Sequence, residues 1–122
     1  MQIQFNTDHN IEGSEGLAAY IDGVIDKALS LVSDHITRVE VHLTDESSNK
    51  STLHDKRCVM EARLEGHQPI AVTHEASTVD EAVEGAANKL ARRVDHVIGR
   101  LRSRASSRID PAPDAPETAV HS

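Results

Sequence analysis

The chain has 122 residues and a net charge of −7, and Phe5 and Tyr20 are its only residues of the types Phe, Tyr and Trp. This length fits one domain whose core must be built from aliphatic residues. A single cysteine, Cys58, excludes an internal disulfide and suits a reducing compartment.

The amino-terminal part of the chain predicts a strand, a helix and a second strand. Residues 2–6 alternate between polar and apolar, which is the period of a half-buried strand. Gly13 and Ser14 offer a turn and a helix N-cap, and apolar residues at helical spacing predict a helix from about Ser14 to Val32. Residues 36–43 alternate again. One side of this strand carries Val39, Val41 and Leu43, and the other side carries Arg38, Glu40 and His42.

The middle of the chain predicts a hairpin and a fourth strand. Residues 45–56 are polar and rich in turn formers, so we expect a long exposed hairpin loop. Residues 57–65 place Cys58 and alternate residues after it on one side of a strand, where a buried cysteine is expected. Ile70 and Val72 mark the fourth strand. Opposite charges on the polar side of the sheet indicate ion pairs between neighbouring strands.

The second helix has the clearest signals in the sequence. Thr78 and Glu81 have the spacing of a capping box, and an apolar stripe continues from Val79 to Leu101. After Arg104 the sequence contains three prolines and no apolar period, which predicts a disordered tail over residues 105–122. The remaining residues, 1–104, form the predicted domain.

The order of elements is β-α-β-β-β-α, and it predicts an α+β fold. Polar alternation in the strands leaves one side of the four-stranded sheet open, so both helices must pack on the other side as a two-layer sandwich. The first crossover joins strands one and two in parallel, and the later strands form an antiparallel meander.

Basic side chains form a stripe along the second helix, about a quarter turn from its apolar stripe. Its members, at spacings i, i+4, i+7 and i+11, are Lys89, Arg93, His96 and Arg100, with Arg92 and Arg104 beside them. Residues 88–108 carry 7 Lys/Arg against 1 Asp/Glu, whereas residues 1–87 carry 6 against 16. Such a stripe suits the phosphates of RNA, and the absence of aromatic residues favours contacts to the backbone over base stacking. Lys and Arg are also ordinary surface residues of helices, so the stripe alone leaves both interpretations open.

The sequence resembles the family of hibernation-promoting factor and ribosome-associated inhibitor A. The resemblance covers about residues 1–104 and depends on MQIQFNTDHN, on DHITRVEVHL at 34–43 and above all on residues 78–104, where Ala82-Val83-Glu84 precedes Lys89-Leu90-Ala91-Arg92-Arg93. It implies a cytoplasmic protein that binds the small ribosomal subunit and its ribosomal RNA, inhibits translation and promotes ribosome hibernation under stress. Lys89, Arg92 and Arg93 match the family's RNA-contact positions, and Lys27 would add a contact from the first helix.

Two departures from the family leave a second hypothesis open. The first helix, usually basic in the family, has Lys27 against Glu15, Asp22 and Asp26, and residues 94–100 are poor in lysine. These features fit a protein-interaction or dimerisation module of the same fold that no longer binds ribosomes.

Other kinds of chemistry lack support in the sequence. The eight histidines have no zinc-site spacing, and neither a nucleophile elbow nor a glycine-rich phosphate loop is present. We therefore expect no metal, no cofactor, no small-molecule substrate and no enzymatic activity. No apolar run approaches the roughly 20 residues that span a bilayer, so we expect no membrane partner. A monomer is the expected state, although the sequence does not fix it.

Overall fold

The computed structural model describes residues 1–8, 14–45 and 55–109, with side chains as far as Arg102. The elements in chain order are β1 (Gln2–Thr7), α1 (Glu15–Ala28), a single 3-10 turn (Ser33–His35), β2 (Ile36–Asp45), β3 (Lys56–Leu64), β4 (Ile70–Ala76) and α2 (Val79–Ile109). The predicted order β-α-β-β-β-α is confirmed.

The four strands form one sheet in the order β1-β2-β3-β4. The α1 crossover makes β1 and β2 parallel, and the two later pairs are antiparallel. β4 therefore forms one edge of the described sheet. The long connection predicted between β2 and β3 joins an antiparallel pair, as expected for a hairpin, but residues 46–54 lie outside the described residues.

The core is aliphatic and lies between the sheet and the two helices. In β2 and β3 the inward side chains alternate with outward ones, so that Val41 and Met60 lie opposite each other with no exposed surface. Ile21 and Ile25 of α1 and Leu90 of α2 belong to the same buried cluster. Burial of one such side chain contributes about 1.5–3 kcal/mol, so this shared core holds both helices on one side of the sheet.

α1 begins where the sequence predicts and ends earlier. The Ser14 hydroxyl accepts a hydrogen bond from the Leu17 N–H at 3.1 Å, which caps the helix as expected. The predicted end at Val32 is wrong, because the helix ends at Ala28. Leu29 and Val32 are still buried, but a turn places them in the core and leaves Leu31 95% exposed. The helical spacing of apolar residues therefore continues past the end of the helix, because the turn that follows also buries Leu29 and Val32.

α2 also begins at its predicted cap and ends later than predicted. The Glu81 N–H donates to the Thr78 hydroxyl at 3.1 Å, as in half of a capping box. The helix continues to Ile109, five residues past the expected end at Arg104. Residues 105–109 contain no helix breaker, since the first proline after the start of α2 is Pro111. The rest of the predicted tail, residues 110–122, lies outside the described residues.

The open side of the sheet carries like charges opposite each other. Arg38 lies across from Arg63 and Glu40 across from Glu61. Ion pairs form instead along each strand, with 2.6 Å between the Arg38 and Glu40 side chains and 3.7 Å between those of Arg63 and Glu61. The expectation of cross-strand ion pairs is therefore wrong for these four residues. The alternation of charge runs along β2 and β3, so the Arg38–Arg63 pair and the Glu40–Glu61 pair each carry one sign.

Candidate nucleic-acid interface

One flank of α2 carries a row of cationic side chains, which we call the basic flank and which comprises Lys89, Arg93, His96 and Arg100. The last three are exposed and Lys89 is half-buried. At about 100° per residue, the row lies roughly a quarter turn from the buried line through Leu90 and Val94. Because that line is fixed in the core, the helix presents the four side chains from a rigid support.

The basic flank faces β4. The Lys89 ammonium donates a hydrogen bond to the backbone carbonyl of Thr73 at 2.9 Å. One helical turn earlier, Gly85 lies so close to the His74 ring that a Cβ there would come within 2.6 Å of three ring atoms. Both contacts bring α2 against the edge of the sheet, so the basic flank and the edge of β4 form a continuous surface.

The other predicted RNA-binding residues lie in different places. Arg92 is exposed on the outer surface of α2, next to the basic flank. Arg104 lies in α2, but its side chain is outside the described part of the structure. Lys27 is exposed and lines a groove between the two helices with Glu84 and Asn88, which lie on the other flank of α2. The structure therefore groups four of the seven residues, with Arg92 beside them, and separates Lys27 from that group.

The groove between the helices has about 650 Å³ and a mixed charge. The Tyr20 hydroxyl donates to a Glu84 carboxylate oxygen at 2.6 Å, linking α1 to α2. This hydrogen bond, followed by burial and the nearby Asp80 and Glu84 charges, raises the pKa of Tyr20 to about 12. Because Glu84 offsets the charge of Lys27, the groove attracts anions much less than the basic flank does.

A smaller cleft of about 430 Å³ lies where the end of β3, the 3-10 turn and α2 meet. An Arg102 nitrogen lies 3.4 Å from His35 Nε2. Since a guanidinium only donates hydrogen bonds, His35 Nε2 is the acceptor in this contact and carries no hydrogen when the bond forms. Asp34 and Glu65 also line the cleft, so Arg102 faces acidic neighbours here rather than extending the basic flank.

The rest of the described surface offers little for other chemistry. The Cys58 thiol is fully buried, as predicted, and burial raises its pKa to about 12. Within residues 1–8, 14–45 and 55–102, no three His, Cys, Asp or Glu side chains are grouped so as to hold a metal ion. None of the described helices has an apolar stretch long enough to cross a bilayer. On α1 the exposed charges are mainly acidic, at Glu15, Asp22 and Asp26, so positive charge is concentrated beside β4.

The sequence missed the part that β4 plays in this surface. No motif marks Thr73, and its closeness to Lys89 depends on which strand forms the edge of the sheet and on which way its carbonyl points. Gly85 was the one available signal, because a glycine inside a helix often marks a close approach by another element.

Solved structures of other proteins are similar to this chain in fold. A ribosomal subunit interface protein from Coxiella burnetii is similar in structure, with a TM-score of 0.68 at 16% identity over 81% of this chain and 99% of that one. The N-terminal domain of Protein Y from Thermus thermophilus gives a TM-score of 0.66 at 18% identity over 80% of this chain and 99% of that one. At these identities the likeness establishes the fold.

No curated protein sequence matches the chain. The family described as Sigma 54 modulation protein / S30EA ribosomal protein matches residues 4–102. This match covers most of the chain and confirms the resemblance to hibernation-promoting factor and ribosome-associated inhibitor A. The chain therefore belongs to the Sigma 54 modulation protein / S30EA ribosomal protein family.

Proposed function

We propose that this chain binds the small ribosomal subunit through ribosomal RNA and inhibits translation, holding idle ribosomes in a hibernating state under stress. The observation that carries the proposal is the basic flank, a row of cationic side chains on a helix that is fixed in the core. Family membership and a structural relative described as a ribosomal subunit interface protein support a ribosomal partner. Such a partner would place the activity in the cytoplasm.

Electrostatics define how the protein would approach RNA. The described surface is acidic along α1 and basic along one flank of α2, so a polyanion is attracted to the β4 side and repelled from the outer side of α1. Arginine binds phosphate in a bidentate geometry, and each cation that neutralises a phosphate releases counterions. We therefore assign the main contacts to Arg93 and Arg100, with Lys89, Arg92 and His96 beside them. Arg104 extends the row, and Lys27 is a separate, weaker contact. The proposed binding unit is residues 1–104.

Co-sedimentation with purified small subunits at several salt concentrations tests the proposal. The variant Arg93→Ala/Arg100→Ala should bind about tenfold more weakly per arginine near 50 mM salt, and should flatten the salt dependence by about 0.7–0.9 per cation removed. Arg38→Ala/Arg63→Ala is the matched control, because it removes the same charge from the open side of the sheet, opposite the helices. It should leave binding unchanged.

A cell-free translation assay tests the inhibitory part. The unaltered protein should lower peptide synthesis in proportion to subunit occupancy, and the double arginine variant should relieve this inhibition. Failure of the protein to sediment with subunits at low salt would refute ribosome binding. If a stoichiometric partner were instead captured without ribosomes, the acidic surface of α1 would become the site to examine, in line with an interaction module of the same fold.

A further inference from the structure

The free edge of β4 presents backbone groups beside the basic flank. Within a strand, the N–H and C=O of one residue point to the same side, and successive residues alternate. Because the Thr73 carbonyl accepts from Lys89 on α2, the Thr73 N–H also points away from β3. By the same alternation, the N–H and C=O groups of Ala71 and Glu75 point outward. No further strand of the described sheet lies beyond this edge.

Ala71 and Thr73 are the outward residues that lie next to positive charge. α2 runs antiparallel to β4, since Gly85 lies beside His74 and Lys89 beside Thr73. Arg93 lies one turn further along α2, in the direction of the start of β4, where Ala71 lies. Glu75 lies at the opposite end of the strand, near the acidic first turn of α2. The edge is therefore suited to an anion at Ala71 and Thr73 and not at Glu75.

We propose that the edge of β4 at Ala71 and Thr73 is the second wall of the RNA site and binds the ribose–phosphate backbone. This inference builds on the proposed binding of RNA by the basic flank. The outward N–H groups donate to phosphate oxygens, while the outward carbonyls accept from ribose 2′-hydroxyls. When RNA binds, the Lys89 ammonium leaves the Thr73 carbonyl and contacts a phosphate. The Thr73 carbonyl is then available to a 2′-hydroxyl. Since only RNA has this hydroxyl, the edge distinguishes RNA from DNA.

Charge favours RNA over a polypeptide as the occupant of this edge. An added peptide strand would need to donate to the Thr73 carbonyl, which Lys89 already occupies. Charged side chains at a sheet edge are a common device against strand addition, and here Lys89 reaches the edge of β4 from α2. A second strand would also lie under a row of cations that it cannot neutralise through its backbone. A polyanion gains from the same cations, so the features that discourage a peptide favour a nucleic acid.

The variant Thr73→Pro removes one outward N–H and no hydrogen bond of the sheet, which is the position at which an edge strand tolerates proline. Thr73→Val is the matched control, because it removes the hydroxyl and keeps the N–H. We expect Thr73→Pro to weaken binding to purified small subunits about ten- to hundredfold, the range for one hydrogen bond to a charged group. The salt dependence should not change, because no cation is lost. Thr73→Val should bind more tightly than Thr73→Pro.

A second measurement uses the unaltered protein, so that it does not depend on how the proline variant folds. A short single-stranded RNA should bind more tightly than DNA of the same sequence and than the 2′-O-methylated RNA. Equal affinities for the three would overturn the role of the edge. The same conclusion follows if Thr73→Pro binds normally while Arg93→Ala/Arg100→Ala does not, and the proposed function then stands. If neither variant affects binding, the proposed RNA site itself is wrong.

Sedimentation velocity without RNA tests whether a second copy of the chain occupies the edge of β4 instead. The protein should remain a monomer with or without Thr73→Pro. A concentration-dependent dimer that Thr73→Pro abolishes, with RNA affinity unchanged, would assign the edge to a second copy of the chain and refute the proposal.

Discussion

The contact between Gly85 and His74 predicts an unusual response to a substitution that normally stabilises helices. Alanine in place of a glycine inside a helix stabilises it by about 1 kcal/mol, because glycine loses more backbone entropy on folding. At Gly85, however, the added methyl group would come within 2.6 Å of three ring atoms of His74. These atoms include the inner part of the ring, so the side chain cannot avoid the methyl by moving its tip alone.

The magnitude follows from two opposing effects. Overpacking of this kind costs about 1–3 kcal/mol, against the gain of about 1 kcal/mol from helix propensity. We therefore expect Gly85→Ala to lower the free energy of unfolding by about 0–2 kcal/mol. In a His74→Ala background the ring is gone, and the same change should raise stability by about 1 kcal/mol. The difference is a coupling energy of about 1–3 kcal/mol between the two positions.

Urea unfolding of the four proteins in this double-mutant cycle measures the coupling. Gly99→Ala is the matched control, because Gly99 lies in the same helix and a methyl group added there would have no neighbour within 4 Å. It should raise stability by about 1 kcal/mol in either background. If Gly85→Ala stabilised the protein as much as Gly99→Ala does, the close approach of α2 to β4 would be refuted.

Three further predictions follow from single contacts. Tyr20 is the only tyrosine, so its absorbance titration should give a pKa of about 12, falling toward 10.0 in Glu84→Gln. The contribution of its hydrogen bond to stability is full below pH 10 and is lost as the pH rises to 12. Equal pKa values in both proteins would contradict the hydrogen bond. The buried Cys58 thiol should react with a thiol reagent at pH 8 only as fast as the protein opens, and an immediate stoichiometric reaction would count against its burial. Thr78→Ala should cost about 1 kcal/mol in thermal or urea unfolding through loss of the α2 cap, whereas Thr78→Ser should retain most of the stability.

Local patterns were sufficient for most of the fold. Alternation identified the inward side of β2, and Ser14 and Thr78 marked the helix starts because a cap depends on residues three positions apart. Helix ends were less predictable. Leu29 and Val32 keep helical spacing although only a turn carries them into the core, so the sequence alone does not distinguish the two arrangements.

The candidate site, too, was predictable where it depends on local geometry and not where it depends on packing. Helical spacing placed Lys89, Arg93 and Arg100 on one flank, since it depends only on the geometry of α2. It did not reveal that Lys27 lies across the helix from them, because this requires knowing on which side α1 packs. Nor did it reveal Thr73, whose position depends on the order of the strands.

The like-charge rows on the open side of the sheet bear on how β2 and β3 find their register. A shift of β3 by two residues would keep every side chain on its own side and place Arg38 opposite Glu61 instead of Arg63. Opposite charges across strands gain roughly 0.2–1 kcal/mol, and like charges lose stability, so the open side by itself favours the shifted pairing. The native register must therefore be selected by the fit of buried pairs such as Val41 with Met60. Weakening the core at Met60 should accordingly appear first as strand slippage, before the sheet itself is lost.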